Sequence, residues 1–148
     1  MITFRALDMA SMADLRYVKE LVQCVLCEDT QGIVAERDGK RVAVVVFDSW
    51  AHTSVQVHIG VEDPLVFKHG MHREVCVHAF LVAGRKMMIG LVPGNNAKAL
   101  KLNKHFGFYE VARIEDGYDE GIDYVVMRLD KHNCKYLTAE ERQSKAAA

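Results

Sequence analysis

From Ser54 to Val61 the chain alternates strictly, with Val55, Val57, Ile59 and Val61 on one side and Ser54, Gln56 and His58 on the other. That period of two is the mark of a strand with one buried face, and it puts His58 on the polar side. Upstream, Ile2 to Ala6 reads as a short strand. Leu15, Val18, Leu21, Val22 and Val25 then fall on one helical stripe, with Asp14, Arg16 and Lys19 elsewhere around it, which predicts a helix from after Asp8 to about Cys27. Two β-branched runs, Gly32 to Glu36 and Val42 to Phe47, flank Asp38-Gly39, a pair that tolerates positive φ and so signals a tight hairpin. Beyond Pro64 the period changes. Met71, Val75, Ala79 and Val82 recur at helical spacing, predicting a buried helix that ends at Gly84. Lys86 to Leu91 follows as a strand, then a helix, then Phe108 to Ile114 and Ile122 to Leu129 as an antiparallel pair around an acidic loop. The expected order is β-α-β-β-β-α-β-α-β-β, an α/β (α+β) arrangement.

The stretch Ile89 to Phe108, IGLVPGNNAKALKLNKHFGF, joins a strand, a turn, a helix and a second strand. Asn95 or Asn96 is placed to cap the helix and Gly107 to close it, because a short side-chain oxygen accepts a first-turn amide and glycine permits the exit. Asn96, Ala99, Leu102, Phe106, Gly107 and Phe108 together resemble the N-x-x-A-x-x-L-Y-x-x-L-G-F signature of the GNAT superfamily of acyl-CoA N-acyltransferases. Asn103 stands where many members carry a tyrosine that protonates the leaving thiolate. The resemblance covers residues 1 to 130 and implies a single domain with a mixed central sheet, helices on both faces and a splay between the fourth and fifth strands that admits acyl-CoA. Residues 131 to 148 read as a polar C-terminal tail in which Thr138 and Glu141 have capping-box spacing.

The resemblance implies acetyl-CoA as co-substrate, a primary amine of a small molecule or protein as acceptor, and no metal. It places phosphate binding between the fourth strand and the long helix, over Glu62, Lys68, His69, Gly70, Met71, His72 and Arg73, with Asn96 and Ala99 on the signature helix also against the cofactor. Pro64 and Gly70 match the family's loop, whereas Phe67 and His72 depart from it. Helix-start amides and the macrodipole attract a pyrophosphate whatever the side chains. Lys68, His69, His72 and Arg73 add a local cationic cluster, which is either a phosphate site or a solvated helix start. For the chemistry, His58 matches the strand histidine implicated as base in the arylalkylamine N-acetyltransferases, Gln56 can position a water, and Asn103 faces the cleft. A histidine's ordinary pKa of about 6.5 suits the removal of a proton from an ammonium. A lone strand histidine is more often just a satisfied polar residue of a sheet face. Tyr109, Tyr118 and Tyr124 are candidates for the thiolate's acid, and Leu102 and Phe106 are expected in the core.

Composition narrows the remaining classes. A chain of 148 residues, 50% hydrophobic, builds its own core, and a formal net charge of -1 argues against a general nucleic-acid binder while leaving room for a local basic patch. Cys24, Cys27, Cys76 and Cys134 show no framework spacing, and the start is not signal-like, so reduced thiols in a cytoplasm are expected. The CxxC at Cys24 to Cys27 lacks the second pair of a zinc site, and His69-x-x-His72 lacks a carboxylate. No apolar run approaches the roughly 20 residues of a membrane span. Glu115, Asp116, Asp119, Glu120 and Asp123 make the last loop acidic: either a solvated turn or an edge that draws in a cationic acceptor. The second expectation for function is a GNAT-like domain without catalysis, serving as a binding or structural component, as in some small bacteriophage virion proteins with a similarly altered phosphate loop. A homodimer is compatible with either.

Overall fold

Asp38 and Gly39 turn β2 (Gln31–Arg37) back into β3 (Lys40–Asp48) with φ of 50° and 81°, the double positive φ that matches the twist of a two-residue hairpin. In the computed structural model, which describes residues 1–145, this hairpin supplies the second and third strands of a sheet ordered β1-β2-β3-β4-β5-β7-β6. The other strands are β1 (Ile2–Ala6), β4 (Ser54–Val61), β5 (Met87–Pro93), β6 (Tyr109–Asp119) and β7 (Ile122–Asp130). All neighbours are antiparallel except β4 and β5, which run parallel. Helices cover both faces, and the order read from the periodicity stands.

On one face, α1 (Met12–Leu21) lays Val18 and Val22 over Val34, Val44 and Val46. The helix stops six residues short of the Cys27 expected from its apolar stripe. Leu21 and Val22 already fill the space above Gly60, where an added Cβ would sit 2.6 Å from Leu21 Cγ and 2.8 Å from Val22 Cγ1. Beyond that point the sheet offers no surface, Val22 turns extended, and Val25 is 78% exposed. Asp14 is also not on a solvated side: it is 1% exposed. Arg5 Nη1 and Nη2 donate to its carboxylate at 2.7 and 2.9 Å, Arg41 Nε at 2.6 Å and the Asp8 amide at 3.0 Å. Hydrogen bonds from Arg5 outweigh the cost of burial and hold the carboxyl far below the usual range.

The larger core lies on the other face, under α2 (Leu65–Lys68), α3 (Met71–Cys76), a π-helical continuation (Val77–Val82) and α4 (Ala97–Phe106). Met71, Val75 and Ala79 are buried as expected, but Val82 is 65% exposed and Phe80 takes the inward place. The wider π turns rotate the end of the helix away from its α-helical stripe. Asn96 Oδ1 accepts the Ala99 amide at 3.1 Å, and the chain leaves α4 through Gly107 at φ 121°. Phe106 is 1% exposed, whereas Leu102 is only half-buried and looks into a cleft; Leu100 packs on the core instead.

The acidic stretch is not a free loop. Glu115 to Asp119 continue β6 through a bulge, where Asp116 takes φ 53°; Asp123 Oδ1 accepts the Asp116 amide at 3.2 Å, and Asp116 Oδ1 accepts the Gly121 amide at 2.7 Å. After β7 the chain docks Cys134 and Leu137 into the larger core. Thr138 and Glu141 form the capping box of α5 (Ala139–Gln143), with bonds of 3.1 and 2.8 Å.

Candidate functional site

β4 and β5 pair only through Ser54–Met87, Val55–Met88 and Gln56–Ile89. β7 occupies the other edge of β5 along its whole length and β3 that of β4. Between Val57–Val61 and the later part of β5 the two strands therefore diverge, leaving main-chain donors and acceptors without a strand partner. The splay opens into a cleft of about 970 Å³. α4 contributes Asn96, Ala99, Leu102 and Asn103 to its lining, the segment after α1 contributes Gln23, Cys24, Val25 and Cys27, and the β6–β7 hairpin contributes Tyr118 and Tyr124. α4 approaches β5 over Gly90, where an added Cβ would lie 3.6 Å from Asn103 Nδ2. Tyr118 donates to Gln23 Oε1 at 3.1 Å and meets Tyr124 edge-on at 5.5 Å, which joins two walls of the cleft.

Gln56 and His58 line this cleft, as does Asp48, which was not anticipated. His58 Nε2 lies 3.0 and 2.9 Å from the two carboxylate oxygens of Asp48. A carboxylate only accepts, so Nε2 carries the proton that it donates, and the lone pair of the neutral ring is at Nδ1. The pairing was countable from the hairpin. In the β3–β4 register Asp48 sits opposite Gln56 and Val46 opposite His58, so Asp48 and His58 are diagonal neighbours on one face.

None of the residues from Glu62 to Arg73 lines the cleft. Lys68 and His69 are exposed, as is Glu62 at the exit of β4. Gly70 takes φ 97° at the start of α3, and Met71 is buried. The expected cationic cluster does not form. His72 is 4% exposed, its ring stacked on Phe67 at 4.5 Å and edge-on to Phe106 at 4.2 Å, and its Nε2 has no hydrogen-bond partner among the described residues. Burial, with the charges of His105 and Lys135 behind it, pushes its pKa down to about 4. Arg73 reaches away to the C-terminal segment, donating to Glu141 at 2.6 and 2.9 Å and to the Tyr136 carbonyl at 2.9 Å. Tyr109 is not available as an acid either, because its hydroxyl donates to Asp130 at 2.6 Å outside the cleft. Among the described residues no three of His, Cys, Asp and Glu gather as a metal site, and no helix is long and apolar enough to cross a membrane.

Because His72 is neutral when folded, the unfolded chain binds the extra proton between about pH 6.5 and about pH 4, so stability falls as pH drops through that window. Urea midpoints should show about 2 kcal/mol less stability at about pH 5 than at about pH 7 from this group alone. His72→Phe should flatten the slope; a slope unchanged by the substitution assigns it elsewhere.

No protein-family model matches the chain, and no curated protein matches it by sequence. Solved structures do. The spermidine/spermine N-acetyltransferase SpeG of Vibrio cholerae superposes with a TM-score of 0.70 at 17% identity, over 87% of this chain and 92% of that one. The N152L form of the same enzyme gives 0.74 at 17% identity over 93% and 96%. A GNAT-family protein of Desulfovibrio desulfuricans gives 0.70 at 16% identity over 88% and 99%. The chain therefore has the GNAT fold.

Proposed function

We propose that the protein is an N-acetyltransferase that moves an acetyl group from acetyl-CoA to a primary amine, with the His58–Asp48 pair as its base. The observation that carries this reading is that pair, set in a cleft at the parting of β4 and β5. Unpaired main-chain groups along the parting suit the amides of an extended pantetheine arm, as a strand would be added to an edge. Gly90 and Ala99 leave room beside it, and Asn96 and Asn103 present polar groups from α4. The diphosphate end has only the α3 amides, Lys68 and His69 to meet it, since His72 and Arg73 are committed elsewhere.

An ammonium cannot attack a thioester, so its proton must leave first. The Nδ1 lone pair of His58 takes that proton, and Asp48 holds the ring in the right tautomer and offsets the imidazolium charge. The amine nitrogen then bonds to the thioester carbonyl carbon, the carbon–sulfur bond breaks, and the thiolate takes a proton from an acid that regains one from the nitrogen, so that the nitrogen ends as a neutral amide. Tyr124 is our choice for that acid, because it lines the cleft while Tyr109 is bound to Asp130 and Tyr118 to Gln23. Gln56 lies opposite Asp48 in the ladder and positions a water or the acceptor.

Thermal shift with acetyl-CoA tests binding, since a ligand at 100 times its dissociation constant stabilises by about 2.7 kcal/mol. Thiol release with a panel of primary amines tests transfer. Binding and amine-dependent thiol release are expected. Neither signal from a folded protein leaves the binding or structural reading, which the commitment of His72 and Arg73 favours.

A further inference from the structure

A second cavity, of about 360 Å³, lies where the turn before β5, the end of β7 and the last residues of the described chain meet. It shares no lining residue with the cleft. Arg85, Lys86, Lys131, His132, Arg142 and Lys145 line it together with Gly84 and Ser144, and no carboxylate of the described residues does. Among the described residues none of these six basic side chains has an ion-pair partner, although the chain as a whole carries a net charge of -1. Five fixed cations at one small cavity repel one another, and so large a local excess attracts and holds an anion.

The walls are built. The Lys131 amide bonds the Lys86 carbonyl at 2.9 Å, which ties the start of β5 to the end of β7. Arg142 Nη1 is anchored on the Cys134 and Leu137 carbonyls at 3.1 and 2.6 Å, leaving its remaining guanidinium donors without a protein acceptor among the described residues. Arg85 stands 5.0 Å over the Trp50 ring, and its buried Nε has no partner among the described residues.

We propose that this cavity binds a small polyphosphate anion, a di- or triphosphate group either free or carried on a nucleoside. A phosphate brings about 1.5 to 2 negative charges and three strong acceptors, so two or three linked phosphates match the cation count, where a single carboxylate would leave most of it unbalanced. The volume is at the small end of ligand sites, right for the anion rather than for a nucleic-acid track.

Trp50 is the sole tryptophan and lies under Arg85, so its fluorescence reports on the site. Titrating inorganic triphosphate into the full chain should give a saturable one-site change that weakens as salt is added. Lys86→Glu, at an exposed side chain, should weaken it at least about 10-fold by charge reversal, and Lys40→Glu at the hairpin tip, with the same change in net charge, should leave it unaltered. Adenosine triphosphate in a parallel titration separates the sources. Equal affinity means that the phosphates alone are read, and tighter binding means that the nucleoside is read as well. No saturable change by fluorescence or calorimetry overturns the site, as does equal weakening in the two lysine variants. Acetyl transfer should be unaffected by Lys86→Glu, so this test stands whether or not the cleft is an acetyltransferase.

Discussion

His58→Ala should lower kcat/KM for acetyl transfer roughly 100- to 10,000-fold, the range a positioned acid or base contributes. The expectation rests on Nδ1 being the ring's free lone pair, because Asp48 holds Nε2 at 2.9 Å. Asp48→Asn should fall between the parent and His58→Ala. The amide keeps the ring in place but no longer offsets the imidazolium charge. Asp48→Asn should retain the parent's denaturation midpoint within about 1 kcal/mol, while His58→Ala leaves the Asp48 carboxylate, 8% exposed, without its ring partner and should cost about 1 to 3 kcal/mol. A His58→Ala protein that releases thiol at the parent rate would reject the base, whatever the fold.

The largest loss of stability is expected from Asp14→Ala, at about 3 kcal/mol by urea denaturation. Removing one member of a buried ion network leaves its partners uncompensated. Arg5 and Arg41 are both partly exposed, with side chains 35% and 30% accessible, so water recovers some of the cost and the estimate stays at the low end of the buried-pair range. The sign with pH follows from the depressed carboxyl. Its contribution is complete above the unfolded pKa of about 3.9 and is lost as pH falls below it, so the variant should show a flatter acid limb. A loss no larger than that of Arg16→Ala, at an exposed side chain of the same helix, would show that the network contributes little.

Much of this was legible from local pattern. The hairpin at Asp38-Gly39, the period-two run of β4, the Asn96 cap and the Gly107 exit each depend on neighbours in sequence, and each forms as read. What failed depends on residues far along the chain. The length of α1 is set by Gly60 on another strand, and the end of α3 by its π turns, which no apolar spacing announces. Asp14 looked like one more polar position on an amphipathic helix until Arg5 and Arg41 were brought against it. His72 and Arg73 read as phosphate ligands for the same reason, since only the fold reveals that Phe67, Phe106 and Glu141 claim them. Asp48 was within reach of sequence reasoning, by counting the β3–β4 register one step beyond the turn.

Every residue of β6 is exposed, and neither apolar cluster includes any of them. The strand is joined to the molecule by its ladder with β7 and by a few hydroxyl and carboxylate bonds at its ends. Its far end carries Tyr118 across to Gln23, which joins two sides of the cleft. Parting those two side chains breaks one exposed hydrogen bond and disturbs no apolar packing beyond the edge of Tyr124. The breadth of the mouth is thereby uncoupled from the strength of the scaffold, and β6 is the place where this chain can change its sequence, and with it what the cleft admits, without weakening its fold.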